Sequence, residues 1–551
     1  MRMRILPLAG LLLLAGAPAL VRAAEDKPAL VVAFKSLDGL ISDAKYLAEL
    51  AGKEEEAKQT EKMLKGLLGD PKGLEGIDPK KPIGLYVRIN EDDPTKSEGV
   101  VLVPVVDEDA LITLLKKQDK LKVGAKDADG VYPVAVEGLD KVPFYFKFAN
   151  KYAYITGLTK TALAKDRLIA PNKVLAGKTT SLAAIILHVD AIPQTYKDMA
   201  VTTVTESLAA EKKKTQPDET PAQKAARLAM IDQMADLVKS VVEDGGDLTA
   251  SIDVDQSAGE LSASASFSGK SGSKLSGTIA DLGNRKSVGA SLIGADSAAN
   301  AIFNVALPEA LRKAFSDAVD DAVKKGLADA AGQGQREAAE AVVKALLPTV
   351  KAGELDGGFD LRGPNSKGLY TLLMGLKVAN GGEIEKVFRD AVKSAPEKDQ
   401  KSIKLDVAKS GGVSIHQIIP DAKQADENSK RLFGDNPEVY FAFRDDALLV
   451  AGGQDGLAAI KEAVAAKPKT GATMQMEASM SRFAPLMSKE NPAATEVAKK
   501  VFKDGKKDKV RLALEGGKAL TIKVSMDAPV VTFSVQMAEA QQKAPTKDQD
   551  K

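Results

Sequence analysis

The amino-acid sequence predicts an α+β protein of two related halves, each an antiparallel sheet with helices packed on one face. A strand–turn–strand pattern occurs twice, and each half closes with strands in which apolar residues alternate with polar ones. Helical stripes occur between these strands but do not follow every strand, which favours α+β over a doubly wound fold. The predicted divisions are a signal peptide at 1–23, a first half at 24–285, a second half at 286–538 and a disordered polar tail at 539–551.

The first 23 residues have the pattern of a secretory signal peptide. Arg2 and Arg4 precede a short apolar run at 5–14, and Val21-Arg22-Ala23 fits a cleavage site. The run is shorter than the roughly 20 apolar residues of a membrane-spanning helix, so cleavage is favoured over anchoring. We therefore expect an exported protein, periplasmic or extracellular, with no stable membrane insertion after cleavage.

Composition excludes several classes of chemistry. The chain has no cysteine, which rules out thiol catalysis, iron–sulfur clusters and cysteine zinc sites. The 77 basic and 76 acidic residues are interleaved, so no long basic region could follow a nucleic-acid backbone. A chain of this length can bury enough apolar surface to be stable without disulfides.

The two halves are recognised by a repeated hairpin. Residues 142–157 align without a gap on residues 437–452, and the motif Tyr-Phe-X-Phe begins at Tyr145 in one copy and at Tyr440 in the other. A polar turn follows in both, which predicts a hairpin. Weaker matches occur upstream in the same order, between 84–88 and 358–362 and between 99–106 and 368–375.

Strands and helices elsewhere follow from apolar periodicity. Alternation predicts closing hairpins over 248–267 and over 510–526, the second around Gly516-Gly517, and one more strand through Val531, Phe533, Val535 and Met537. Helical spacing predicts helices over 37–50, 228–242 and 311–322.

Both histidines are expected to be structural. In the alignment of the two halves, His188 corresponds to Met480 and His416 to Val134, so each stands where the other half has an apolar residue. A half-buried histidine satisfied by its neighbours is therefore favoured over a ligand or catalytic group. The sequence predicts no catalytic residue, no cofactor and no metal ligand, although scattered carboxylates could converge in the fold.

Four methionines form the single candidate for a binding site. Met474, Met476, Met480 and Met487 cluster near the last predicted helix, and the first three are expected on one face of a strand. Methionine is flexible and polarisable, which suits an adaptable apolar pocket. The alternative is an ordinary core between sheet and helix.

With its signal peptide, repeated Tyr-Phe-X-Phe hairpins and Lys/Ala-rich helices, the chain resembles the large exported proteins of planctomycete-type bacteria. That resemblance implies an envelope or secreted location and no particular activity. Three hypotheses remain: a non-enzymatic envelope scaffold or interaction module with an unknown protein partner, a carrier of an apolar ligand or lipid between sheet and helices, and a hydrolase whose carboxylates are not recognisable in the sequence.

We expect the signal peptide to be removed after Ala23 during export. Expression in a bacterium with an intact secretion pathway, followed by N-terminal sequencing, should give a mature chain that begins at Ala24. Replacing Arg2 and Arg4 with glutamate removes the basic region and should leave the precursor inside the cell. A secreted product that keeps its first residues would contradict the prediction.

Overall fold

A computed structural model describes residues 27–67, 75–93, 96–139, 141–157, 160–175, 180–214, 216, 219–309, 311–313, 316–317, 344–345, 347–349, 351–420, 426–435, 437–488, 492–503 and 505–543. The predicted signal peptide lies outside these ranges, as does much of the helix predicted over 311–322. Among the described residues, no helix has both the length and the apolar character that crossing a membrane requires.

The elements mix helices and antiparallel strands, as an α+β fold requires. The strands are β1 Leu30–Ser36, β2 Pro82–Arg88, β3 Glu98–Pro104, β4 Leu121–Val123, β5 Val131–Val136, β6 Phe144–Ala149, β7 Tyr152–Gly157, β8 Ala183–His188, β9 Gly245–Asp255, β10 Glu260–Gly269, β11 Lys286–Ser287, β12 Ser297–Ala306, β13 Glu354–Arg362, β14 Thr371–Lys377, β15 Ile403–Ser410, β16 Val413–Ile418, β17 Val439–Arg444, β18 Ala447–Gly453, β19 Lys469–Thr470, β20 Met474–Ser479, β21 Lys509–Glu515 and β22 Leu520–Asp527. The α-helices are α1 Leu37–Leu50, α2 Glu54–Leu67, α3 Glu108–Lys116, α4 Pro171–Val174, α5 Gln194–Lys212, α6 Pro221–Asp244, α7 Lys274–Gly283, α8 Val288–Leu292, α9 Gly381–Ser394, α10 Glu397–Gln400, α11 Glu427–Phe433, α12 Gly456–Ala465, α13 Met480–Met487, α14 Ala494–Val501 and α15 Ala528–Lys543.

The chain forms two compact units. The described residues of the first unit lie within Met1–Val201, Val242–Leu275 and Ser525–Val535, and those of the second within Thr202–Val241, Ser276–Val524 and Gln536–Lys551. In the first unit the strands pair antiparallel in the order β10-β9-β8-β1-β2-β3-β7-β6-β5-β4. In the second unit the order is β21-β20-β12-β13-β14-β18-β17-β16-β15.

Each unit has its own core on one face of its sheet. In the first unit, Tyr86, Leu102 and Tyr154 of three adjacent strands pack against Leu163 and Leu175 from the turns that follow β7. In the second unit, the corresponding core joins strand residues to α8 and α12; its members include Leu292, Leu373, Ile415, Leu449 and Ile460. Helices therefore cover the main core in the second unit, whereas in the first unit helix α3 packs Leu111 and Leu114 on the face opposite that of Tyr154.

Several predicted elements are confirmed. The apolar stripe over 37–50 is helix α1, and the alternating residues of 248–267 are the hairpin of β9 and β10, with Ile252 opposite Ala263. The two Tyr-Phe-X-Phe segments are also hairpins, and each reverses direction over two residues, at Asn150-Lys151 and at Asp445-Asp446. Asn150 and Lys151 both have positive φ, which matches the right-handed twist of the flanking strands.

Three predictions are wrong in their details. The strand predicted through Val531 and Val535 is helix α15, because Val530, Phe533 and Met537 are the buried residues and their spacing is helical. The helix also includes residues 539–543 of the predicted disordered tail, while 544–551 lie outside the described residues. The match of 99–106 with 368–375 is out of register, since Gly99 is in β3 but Gly368 lies in the turn before β14.

The one-sided core predicts unequal costs for two truncations on neighbouring strands. Leu449 of β18 is fully buried, so Leu449→Ala should lower the free energy of unfolding by about 2–5 kcal/mol. Met374 of β14 is 40% exposed, so Met374→Ala should cost less than about 1 kcal/mol. Urea unfolding followed by circular dichroism measures both, and equal losses would show that the two faces are packed alike.

Candidate functional site

The sheet of the second unit has an apolar face that the helices among the described residues leave largely open. Strand pairing sets side chains in rows across the sheet, and three successive rows on this face contain apolar residues alone. The rows are Val510, Ala478, Ala299, Leu361, Leu372, Gly452 and Val439; Leu512, Met476, Ala301, Phe359, Met374, Val450 and Phe441; and Leu514, Met474, Phe303, Gly357, Leu376, Leu448 and Phe443. We call these residues the open face.

Large side chains at the centre of the open face remain in contact with solvent. Met476 is 51% exposed, Leu376 41%, Met374 40%, Phe303 38% and Phe359 37%. Single exposed apolar residues are ordinary, but a contiguous exposed patch marks an interaction site. Because they belong to four adjacent strands, these five residues form such a patch.

Helix α9 closes one side of the open face. Its Phe388 ring lies 6.3 Å from the ring of Phe441 and 5.5 Å from that of Phe443, measured between centroids. Ile384 of the same helix and Leu448 belong to one hydrophobic cluster with these three rings. The open face therefore has a wall along β17 and β18 and remains accessible over β20, β12, β13 and β14.

The four predicted methionines lie in two different elements, a strand and a helix. Met474 and Met476 belong to β20 and lie on the open face. Met480 does not share that strand, contrary to the prediction, because β20 ends at Ser479, whose side chain caps helix α13 through the amide of Arg482. Met480 and Met487 are the first and last residues of this helix.

His416 lies in a buried network of charged groups. It is fully buried on β16; its Nε2 lies 3.2 Å from Oε1 of Glu385, and its Nδ1 accepts the backbone N–H of Asp406 at 3.2 Å. Arg389 joins the two carboxylates, since its guanidinium donates to Glu385 at 2.6 Å and to both oxygens of Asp406 at 2.7 and 2.8 Å. Asp406 has a φ of +57° where the pairing of β15 with β16 is irregular, which turns its amide toward the ring.

This network is best explained as structural. Because Nδ1 accepts a hydrogen bond, the proton of the neutral ring is on Nε2 and is donated to Glu385. Burial and the nearby charge of Arg389 lower the pKa of His416, which keeps the ring neutral near pH 7. Arg389 holds the pKa of Asp406 well below its usual range. Glu385, Asp406 and His416 could together hold a cation, but the guanidinium of Arg389 already provides the positive charge.

His188 lies in a more exposed setting. It ends β8, is half-buried, and its Nδ1 lies 2.6 Å from Oδ1 of Asp247 on the paired strand β9. No local pattern in the sequence signals this contact, because the two residues are 59 positions apart. Each histidine therefore has a carboxylate partner, which alignment with apolar residues of the other half did not predict.

The second unit also contains a charged cleft of about 310 Å³ near the C-terminal end of β13. Arg362 lines it and is held by Asp360 at 2.8 Å, by Glu462 at 2.7 Å and by the carbonyl of Leu292 at 2.7 Å. Its charge is thus matched by two carboxylates. The cleft brings together acidic residues distant in sequence, but Arg362, one of its two arginines, serves to join β13 to α12.

The chain matches no known family model, and neither the curated proteins nor the solved structures compared with it gave a match. The open face, the two histidine clusters and the cleft are therefore interpreted from their own geometry.

The lowered pKa of His416 predicts an acid-sensitive fold. The unfolded chain binds a proton near pH 6.5 while the buried ring resists it, so this contribution to stability is present above about pH 6.5 and is lost at lower pH. His416→Gln keeps a donor and an acceptor but cannot titrate. Its urea midpoint should fall less between pH 7 and pH 5 than that of the original protein. Both proteins contain the same carboxylates, so a difference between them reports on residue 416. An equal fall of the urea midpoint in both would contradict the assignment of this acid sensitivity to His416.

Proposed function

We propose that this is an exported, non-enzymatic protein that carries an apolar ligand on the open face of its second unit. The observation behind the proposal is the set of three all-apolar rows with Met374, Met476 and Phe359 exposed at their centre. Burying such surface is favourable by about 25 cal/mol per Å². This site contains Met474 and Met476 of the predicted methionine cluster. In place of Met480 and Met487 it contains residues of β12, β13 and β14.

The chemistry of the open face favours a hydrocarbon chain. Among the residues of its three rows there is no hydrogen-bonding side chain, whereas protein–protein interfaces carry about one hydrogen bond per 100–200 Å². The interior backbone groups of these strands are already paired with neighbouring strands. A fatty acyl chain needs neither donors nor acceptors along its length, and methionine side chains adjust to its conformation.

The strand orders support descent of the two units from one duplicated ancestor, which we also propose. Five strands of the second unit pair in the order β20-β12-β13-β14-β18. Five strands of the first unit pair in the matching order β8-β1-β2-β3-β7. Gly84 and Gly358 then correspond, as the sequence match at 84–88 predicts. If the units correspond in this way, His188 is equivalent to Ser479 and His416 to Tyr132, and the sequence alignments with Met480 and Val134 are displaced.

The first unit has a similar exposed strip. Ile185 of β8 and Leu248 and Ile252 of β9 are each about half exposed, on the face opposite the core of Tyr86 and Tyr154. This recurrence is expected if the open face is an inherited feature. We propose that the strip of the first unit binds the same class of ligand.

An interaction module remains the second candidate because of one helix surface. Met230, Met234 and Leu237 of α6 are all more than half exposed, and their spacing places them on one side of the helix. Such a stripe suits an apolar partner helix. Binding there would be independent of the open face.

A charge placed on the open face should prevent binding of a hydrocarbon chain. We expect the mature protein to bind 11-(dansylamino)undecanoic acid and Met374→Asp to bind it at least about tenfold more weakly, since the ligand would bury an unpaired carboxylate. The control is Val407→Asp on β15, outside the three rows, because Val407 is 38% exposed and Met374 40%. Fluorescence titration gives the three affinities.

Two results would contradict the carrier proposal. One is equal affinity in Met374→Asp and in the original protein, with both shown to be folded by circular dichroism. The other is an absence of binding together with a ligand-free mass when gently purified protein is examined by native mass spectrometry. A lipid retained by the original protein and lost from Met374→Asp would support the proposal.

A further inference from the structure

We infer that His188, Asp190 and Asp247 of the first unit form a binding site for one divalent transition-metal ion, with zinc as the best fit. The site is separate from the open face and does not depend on the carrier proposal. It lies at the ends of two paired strands: His188 closes β8, Asp190 follows in a short 3₁₀ turn, and Asp247 lies near the start of β9.

The fold holds the three groups together through strand pairing. His188 and Asp247 are direct partners in the register of β8 with β9. Each of the three residues offers one ligand atom, and these atoms all lie within 4.8 Å of one another. In a tetrahedral zinc site the ligands lie about 2.0–2.2 Å from the metal, so small side-chain movements suffice to bring these three around one ion. Water would take the fourth position.

A cation already lies between the two carboxylates. The ammonium of Lys27 is 2.9 Å from Asp190 and 3.3 Å from Asp247. Because it lies between two carboxylates, this position favours positive charge. Because the Lys27 side chain is 40% exposed, it can move into solvent and leave the carboxylates to a metal ion.

The ligand types favour zinc over calcium or magnesium. Imidazole nitrogen is a preferred zinc ligand, whereas calcium and magnesium take oxygen ligands in larger numbers. Lys197 is buried and interacts electrostatically with Asp190. Its positive charge repels a dication and should limit the affinity of the site for zinc. In the second unit, a different cluster of Glu385, Asp406 and His416 is held by the bidentate contacts of Arg389 and is not expected to take a metal.

Competition between Lys27 and the metal gives a specific test. Isothermal titration of the full mature chain with zinc chloride should show one equivalent bound. His188→Gln should weaken binding at least about tenfold, since even the loss of an outer partner of a metal ligand costs that much. Lys27→Gln should strengthen binding about two- to fivefold, because an exposed ion pair no longer has to be broken.

The control for Lys27→Gln is Lys45→Gln. Lys45 is 44% exposed and paired with Glu61 at 2.8 Å, so it resembles Lys27 in exposure and pairing but lies outside the site. Its removal should leave zinc affinity unchanged. Asp247→Asn provides a second ligand variant if His188→Gln fails to fold.

The outcomes separate a metal site from a structural ion pair. Binding that is weakened in His188→Gln or Asp247→Asn and strengthened only in Lys27→Gln supports the site. The inference is overturned if the original protein binds no zinc, if the ligand variants bind it equally well, or if Lys27→Gln fails to increase the affinity.

Discussion

The alternation of side chains along each β-strand is the constraint on which this structure depends. Neighbouring residues point to opposite faces, and in strands such as β12, β13 and β14 both sets contain apolar residues. Helices α8 and α12 bury one set, including Leu373 and Leu449. Among the described residues, the other set, with Met374 and Phe359, is left open except where α9 and Ala345 pack against it. The core, the candidate binding face and the proposed carrier function all follow from this unequal coverage.

Charged groups at the sheet margins show how similar residues serve different roles. Both histidines contact a carboxylate, and both clusters contain a basic residue. Arg389 makes fixed, paired hydrogen bonds beside the fully buried His416, which produces a stable internal network. Lys27 provides only a single flexible ammonium beside the half-buried His188. The difference in the basic residue, together with the burial of His416, underlies our inference that only the His188 cluster exchanges its cation for a metal ion.

Sequence periodicity predicts the elements better than the site. The helix over 37–50 and the hairpin over 248–267 follow from local spacing alone, and the structure has both. The apolar residues of the segment at 531–537 fit the periods of both a strand and a helix, and packing of Phe533 and Met537 decides for the helix. The open face could not be predicted, because exposure of Met374 depends on which face the distant helices cover. Contacts such as His416 with Glu385 likewise join elements separated in the chain.

Methionine oxidation measures the openness of the sheet face most directly. Ligand-free protein is treated briefly with hydrogen peroxide, and oxidation at each methionine is followed by mass spectrometry. Met374 and Met476 should oxidise at rates close to those of Met230 and Met234, which are also exposed, while buried Met537 should be protected. If Met374 and Met476 were as protected as Met537, the face would be covered in solution and could not serve as a carrier surface.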